Sequence, residues 1–443
     1  MDKTIARLGV FLALQEPEQV VDPYPLYHRL RMESPFHWDF VLCGWVLTRY
    51  ADVRAALVDP RFTTRSFPWD VNQLPADLQA ELAPLGRVTD VEVLYRDSAD
   101  HDRLRQPLNR AFNPAVFERL RPGMEALADS LLAMAEQRGS MDVVRDYAEP
   151  LAEYMMGELL GLPPEDRAEF VKWCDHVREF ATARRVGPKT VKSGREAAKR
   201  FKQIRAYVRT LIATRRCADD VIGHSFAVGE NEAPPTEEEF LANCVFFLHT
   251  GIRNTFAALS NGIVALLRHP EQFAMLREQP LLLTTAVDEL LRYDSPVQFS
   301  IRGAHTEMEF QERRIGPKHL LVSLLGAANR DPEQFGDPDR LDLTRQPNRH
   351  LALGLGAHGC VGGWMARFGL AIGLGAIVRR RTGVRLAPGR LEWQPAAMRR
   401  TVRALPVWID CPRHKGRRSQ VRMARMPLPI PTKVAQTLIP SWQ

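Results

Sequence analysis

Between residues 354 and 363 the chain sets Gly354, Gly356, Gly359, Gly362 and Gly363 around a single cysteine, Cys360. An apolar segment, WMARFGLAIGLGAIV, follows directly. Glycine reaches positive φ without steric cost and lets backbone come close to a neighbouring group. A thiol at the first turn of a helix meets unpaired N–H groups and the positive end of the dipole, which favours its thiolate. The segment therefore predicts a backbone cradle that presents one sulfur as a metal ligand. The competing reading is a phosphate loop, but no Lys followed by Ser or Thr comes next and no strand clearly feeds it. The other cysteines (Cys43, Cys174, Cys217, Cys244 and Cys411) are scattered, too few for a disulfide framework. Inert thiols in a reducing cytoplasm are expected of them.

The rest of the chain reads as mainly helical. Thr236 with Glu239 has capping-box spacing and opens one long helix over residues 236–268. Further helical patterns cover residues 101–139, broken at Asn113-Pro114, and residues 150–216 and 281–294. Short strand-like pieces follow at FSIRGAH, MEFQERRI and HLLVSLLGAA. Residues 65–97 are irregular and proline-punctuated, and a long loop inside a compact chain is usually functional. With 45% hydrophobic and 26% charged residues, the 443-residue chain has the balance of a soluble globular protein, which excludes a disordered or fibrous one. No apolar run approaches the about 20 residues of a membrane span, and the N-terminus has no signal-peptide pattern. The expected location is cytoplasmic. The cations of residues 411–443 (Arg413, Lys415, Arg417, Arg418, Arg422, Arg425 and Lys433) equal the whole net charge of +7. The body is therefore neutral, and nucleic-acid binding is not expected of it.

The cysteine loop resembles the haem-thiolate signature of the cytochrome P450 superfamily: an aromatic, Gly, x, Gly, x, His or Arg, x, Cys, x, Gly. Here it runs Leu353, Gly354, Leu355, Gly356, Ala357, His358, Gly359, Cys360, Val361, Gly362, departing only at Leu353, where the family has Phe. Three further motifs follow the family's order. AVDELLRY carries Glu289 and Arg292 on one helix face, resembling the Glu-x-x-Arg helix, and Arg340 in FGDPDRLDL resembles the third member of the buried Glu-Arg-Arg network. ADHDRLRQPLNRAFNP resembles the helix that binds the haem propionates, with His101 and Arg105 one turn apart. FSIRGAH puts Arg302 where the family has another propionate partner. With His358 these make four donors for two carboxylates.

The resemblance covers about residues 20–409. It implies one mainly α domain with small β-sheets over residues 1–409, a helical prism around haem b, with Cys360 as the iron ligand. It also implies oxidoreductase chemistry of the monooxygenase type on a small organic, secondary-metabolite substrate. No nicotinamide, flavin or iron–sulfur motif occurs in the chain, so electrons are expected from ferredoxin and ferredoxin reductase-type partners. Residues 410–443 extend beyond the family's usual end as a basic, proline-containing segment.

The oxygen-activating motif departs from the family. Its pattern of small residue, Gly, x, acid, Thr falls on Thr250, Gly251, Ile252, Arg253 and Asn254, with Thr255 next. Arg253 replaces the acid and Asn254 the alcohol; a one-residue shift would make Thr255 the alcohol but misplace Gly251. Arginine is effectively never deprotonated, so it cannot pass a proton on. Three readings stay open. Water or substrate delivers the protons of an oxygen-dependent oxidase; peroxide is the oxidant and Arg253 docks a substrate carboxylate; or the protein binds haem as a scaffold without turnover. Arg253 turned aside to pair with a neighbour is the plain structural alternative. The resemblance implies substrate contacts from residues 65–97, 170–200 and 297–300, from the neighbourhood of Arg253, and from Ala397 and Met398. The basic residues between Arg184 and Lys202 form either a solvated face or a dock for an acidic carrier protein or anionic substrate.

Overall fold

The structure is a computed structural model that describes residues 3–64, 79, 91–112, 114–182, 188–215, 233–380, 383–395 and 398–410. Most of the 65–97 loop, part of the basic 184–202 run, Cys217, Ala397 and residues 411–443 lie outside them. The long helix runs Glu237–Arg268. Thr236 Oγ1 accepts the Glu239 N–H at 3.2 Å and the Glu239 carboxylate accepts the Thr236 N–H at 2.8 Å, closing the expected box. Three acids in the first turn and Arg268 in the last complement the helix dipole. Every residue from Thr255 to Leu266 is buried, so this half has no solvent face and forms the centre of the molecule.

Three helices lie along it: Glu149–Leu159, Arg167–Thr182 and Gly363–Arg379. The last follows the cysteine and approaches through glycines. A Cβ on Gly373 would stand 2.7 Å from Leu259 Cδ2, and one on Gly369 would stand 3.1 Å from Thr255 Cγ2. Any larger residue at 373 would push the two helices apart. Tyr147, fully buried, donates its hydroxyl to the Gly373 carbonyl at 2.7 Å and ties a further segment to this junction.

The strands form small sheets beside this helical mass. The largest has the order Phe36–Asp39, Gly44–Leu47, Leu320–Leu324, Phe299–Ala304 and Phe62–Thr63. Gly44–Leu47 pairs in parallel with Leu320–Leu324, which then pairs antiparallel with Phe299–Ala304. Arg302 thereby sits on a strand inside a sheet, where its position is set by ladder bonds rather than by a loop. Among the described cysteines, Cys174 and Cys244 are buried, as expected of inert thiols, but Cys43 is exposed on the turn between the first two strands. No described helix is long and apolar enough to cross a membrane.

Candidate functional site

The cysteine loop is a set of backbone hydrogen bonds. Cys360 N–H donates to the Leu353 carbonyl at 2.8 Å, Gly359 N–H to Gly356 at 2.9 Å, and Gly354 N–H to Leu351 at 2.9 Å. Gly354 (φ 67°) and Gly356 (φ 73°) both occupy the left-handed region. A side chain at 356 would also meet the Leu57 carbonyl, 3.0 Å from its Cβ. The Cys360 side chain reaches solvent from a recess packed with protein. That crowding raises the thiol pKa, while the Gly362 N–H and the Arg105 and Arg367 cations oppose it. The packing around the sulfur and the loop N–H with its two cations thus pull the thiol in opposite directions.

Behind the loop lies the carboxylate network. Glu289 and Arg292, both fully buried, pair through Nε to Oε2 at 2.7 Å and Nη2 to Oε1 at 2.9 Å. Arg292 also donates to the carbonyls of Asn329 and Pro338 at 2.7 and 2.8 Å. The third arginine is Arg345, whose Nε lies 3.2 Å from Glu289 Oε2. This corrects the expectation for Arg340. The Arg340 side chain is exposed, and only its backbone carbonyl joins, accepting from Arg292 Nη2 at 3.2 Å. Asn348 Nδ2 donates to Glu289 at 3.0 Å, and Asn329 Oδ1 accepts the Leu351 N–H at 2.7 Å. The network therefore grips the chain immediately before Gly354. A second clamp that the sequence reading missed is Asp288, which receives Arg367 Nε at 2.7 Å and lies 3.1 Å from His350 Nε2.

On the other side of Cys360 the expected cationic donors converge. The His101 and His358 rings lie 4.3 Å apart. His101 is buried, and its Nε2 has no hydrogen-bond partner. Arg302, largely buried, donates to Ser300 Oγ at 2.8 Å and the Ile301 carbonyl at 3.0 Å. Burial drives its pKa down to about 10 against the pull of Asp97. Burial, Arg302, His101 and Arg105 together push His358 down to about 4, although Asp97 Oδ1 is 3.5 Å from its Nε2. Arg105 Nη2 donates to the Gly359 carbonyl at 2.6 Å, so this arginine steadies the cysteine loop as well as charging the site. Two carboxylates reach this group: Asp97, also held by Thr63 and Thr64, and the exposed Asp102, whose Oδ1 lies 3.1 Å from His101 Nδ1. Two partly or largely buried arginines and an orphaned buried imidazole nitrogen converge here, donors that suit an anionic group.

The oxygen-activation segment is arranged differently from the pocket-facing reading of Arg253. Arg253 Nη2 donates to Asp175 of the helix Arg167–Thr182, and its Nη1 lies 3.7 Å from Glu149 Oε1. Asp175 Oδ1 also lies 2.8 Å from His249 Nδ1. Burial pushes the Asp175 pKa up, but the hydrogen bonds from His249 and Arg253 outweigh it and hold the carboxylate ionised. Burial beside Glu149 lifts Glu153 to about 7 despite Arg253. Thr250 Oγ1 donates back to the Phe246 carbonyl at 2.7 Å. Gly251 lies against Met156, whose sulfur would stand 2.5 Å from a Cβ there. Thr255 is buried, with its methyl group against Gly369. Asn254 Oδ1 accepts Arg399 Nε at 3.2 Å, a contact the sequence carries no signal for.

This geometry alters what restoring the family's acid would do. Arg253→Asp would set a carboxylate beside Asp175, Glu149 and Glu153. The variant should be less stable by about 2 kcal/mol, between the costs for exposed and fully buried pairs. Adding Asp175→Arg should return most of the melting temperature. Equal melting of Arg253→Asp and the parent would show that the pair contributes nothing.

A model of the cytochrome P450 family matches residues 89–382. The chain belongs to the cytochrome P450 family. The biotin biosynthesis cytochrome P450 of Bacillus subtilis is 33% identical over 89% of this chain and 98% of its own length. The cytochrome P450 monooxygenase PikC of Streptomyces venezuelae is 33% identical over 90% of this chain and 94% of its own. Among solved structures, P450BioI in complex with an acyl carrier protein ligated to hexadec-9Z-enoic acid superposes with a TM-score of 0.79. It has 32% identity and covers 89% of this chain and 99% of that one. The mainly α fold with small sheets is thus the P450 fold, and the protein is an oxidoreductase of the monooxygenase type.

The P450 cofactor, haem b, fits the residues present. Cys360 would ligate its iron, and His101 Nε2, Arg302, His358 and Arg105 would face its two propionates. Bound there, the haem supplies oxidative chemistry at a thiolate-ligated iron. The protein's own part would be to hold the sulfur rigidly and to face the propionates with donors, while Arg253 stays in its ion pair with Asp175.

Proposed function

We propose that this P450 is an oxygen-dependent monooxygenase or oxidase of a small organic, secondary-metabolite substrate. It works in the cytoplasm with electrons from ferredoxin and ferredoxin reductase-type partners. Curated relatives with names in biotin and polyketide biosynthesis support the substrate class. The observation that carries the choice of oxidant is the Arg253–Asp175 pair. An arginine already matched by one carboxylate, with Glu149 close by, has little left for a substrate carboxylate, which removes Arg253 as the dock on which the peroxide reading was drawn. With Arg253 committed, protons come from water or from the substrate. A haem-binding scaffold would need the same donors around Cys360, so turnover in the test below is what separates the two readings.

The test supplies the haem-loaded protein with a surrogate ferredoxin, its reductase and NADPH, and in parallel with hydrogen peroxide alone, across a substrate library. Oxygen-dependent product formation through the redox chain should exceed the peroxide route by about tenfold or more. Product from peroxide alone at the same rate, or none from either, would overturn the reading. Acyl carrier proteins belong in the library as substrate carriers, because P450BioI was solved with one. The exposed cations Lys192, Arg195, Lys199 and Lys202 of the helix Pro188–Arg215 carry the charge that would suit them.

A further inference from the structure

The arginines near Asn254 differ in how their charge is met. Arg253 is matched by Asp175 and Glu149, Arg178 by Glu92, and Arg400 by Asp294 at 2.6 Å. Arg399 has no such partner. It is half-buried, and among the described residues its one hydrogen bond goes to a neutral amide, Asn254 Oδ1. Among the described residues no carboxylate lies within ion-pair distance of it. Asp175 is near enough to act on it through space, but the oxygens of Asp175 are taken by His249 and Arg253. Burial, with Arg253 close by, presses the Arg399 pKa down to about 10, so it stays charged at neutral pH while its environment disfavours that charge.

The fold places this cation beside Val297, five residues before Arg302 along the chain. Arg399 is bridged antiparallel to Val297, and Gln298 N–H donates to the Met398 carbonyl at 2.8 Å. From there the chain continues into the strand Phe299–Ala304. Five residues of extended chain span about 17 Å, so Arg302 and the Val297 beside Arg399 stand at opposite ends of one backbone segment. Arg302 belongs to the propionate cluster, and Arg399 reaches the central helix at Asn254. Because arginine only donates, Asn254 must offer its oxygen, which leaves its Nδ2 hydrogens free to donate. Arg399 Nη1 and Nη2 with Asn254 Nδ2 then form a set of donors with no acceptor among the described residues.

We propose that Arg399, with Asn254 Nδ2, binds the carboxylate of the substrate, so that the molecule this P450 oxidises is an organic acid. The inference rests on the P450 reading above. It moves the anion-binding role from Arg253, which is neutralised, to an arginine that is not. A guanidinium and an amide hold a carboxylate in one orientation, and the remainder of the acid is presented at a fixed distance from that anchor.

The probes are dodecanoic acid and 4-phenylbutanoic acid, each with its methyl ester, titrated into haem-loaded protein by optical difference spectra and by calorimetry. The acids should bind at least about tenfold tighter than the esters, the factor expected for a charged hydrogen bond. Arg399→Gln should abolish that ratio and leave ester binding unchanged. Asn254→Asp, which hands Arg399 an internal anion, should abolish it by a separate route. The double variant Asp175→Asn with Arg253→Gln removes the neighbouring ion pair as a unit and should keep it. Equal binding of acids and esters by the parent would overturn the proposal. So would a preference that survives both Arg399→Gln and Asn254→Asp. Loss of the acid preference with intact redox-driven turnover sinks only this inference. An intact preference with no turnover sinks only the reading of function.

Discussion

Glu289→Ala should yield almost no soluble, haem-loaded protein. The substitution strands Arg292, fully buried, and Arg345, whose side chain is only 12% exposed, without their shared carboxylate. Removing one partner of a buried ionic group costs about 3–5 kcal/mol, a large share of the about 5–15 kcal/mol that holds a typical native state. It also removes the acceptor of the Asp342 N–H and of Asn348, which fix the chain ahead of the cysteine loop. Glu289→Gln keeps the shape and one acceptor oxygen, and should fall between alanine and the parent. The two arginines separate the network from its sequence-level assignment. Arg345→Ala should lower the melting temperature clearly. Arg340→Ala should scarcely change it, because the carbonyl that Arg340 contributes survives the substitution. A well-folded Glu289→Ala protein with full haem would reduce the network to decoration, and equal losses at 340 and 345 would contradict the geometry.

Cys360→Ala should remove the thiolate signature entirely. The parent, reduced under carbon monoxide, should show the strongly red-shifted Soret band of a thiolate-ligated haem. The alanine variant should show none of it and retain little haem. Cys360→His offers a neutral nitrogen from the same cradle, and its carbonyl band should sit at the shorter wavelength of a neutral ligand. The loop itself should survive these changes, since its hydrogen bonds are made by backbone groups of residues 351–363. Melting curves of haem-free Cys360→Ala and haem-free parent should therefore agree. A thiolate-type band in either variant would mean that the ligand is another cysteine. Among the described residues the alternatives are poor: Cys174 and Cys244 are buried deep among apolar side chains and Cys43 lies on a distant turn.

What the sequence determined by itself was local. The glycine spacing around Cys360 is a statement about φ angles and close approach over ten residues. The Thr236–Glu239 capping box and the Glu289–Arg292 pair each rest on three-residue spacing, which helix geometry alone converts into contact. The order of such motifs along the chain was enough to reach the family, its fold and its cofactor. Only the tertiary structure decided which charge meets which. Arg345 displaced Arg340 because the segment after residue 336 folds back and turns the nearer arginine outward while using its carbonyl. Arg253 was committed by Asp175, 78 residues earlier, and Arg399 was brought to Asn254 from 145 residues away. Turns and helices fix partners within one or two turns of chain. A buried charge takes the nearest opposite charge in space, and that neighbour is chosen by how the helices and sheets pack.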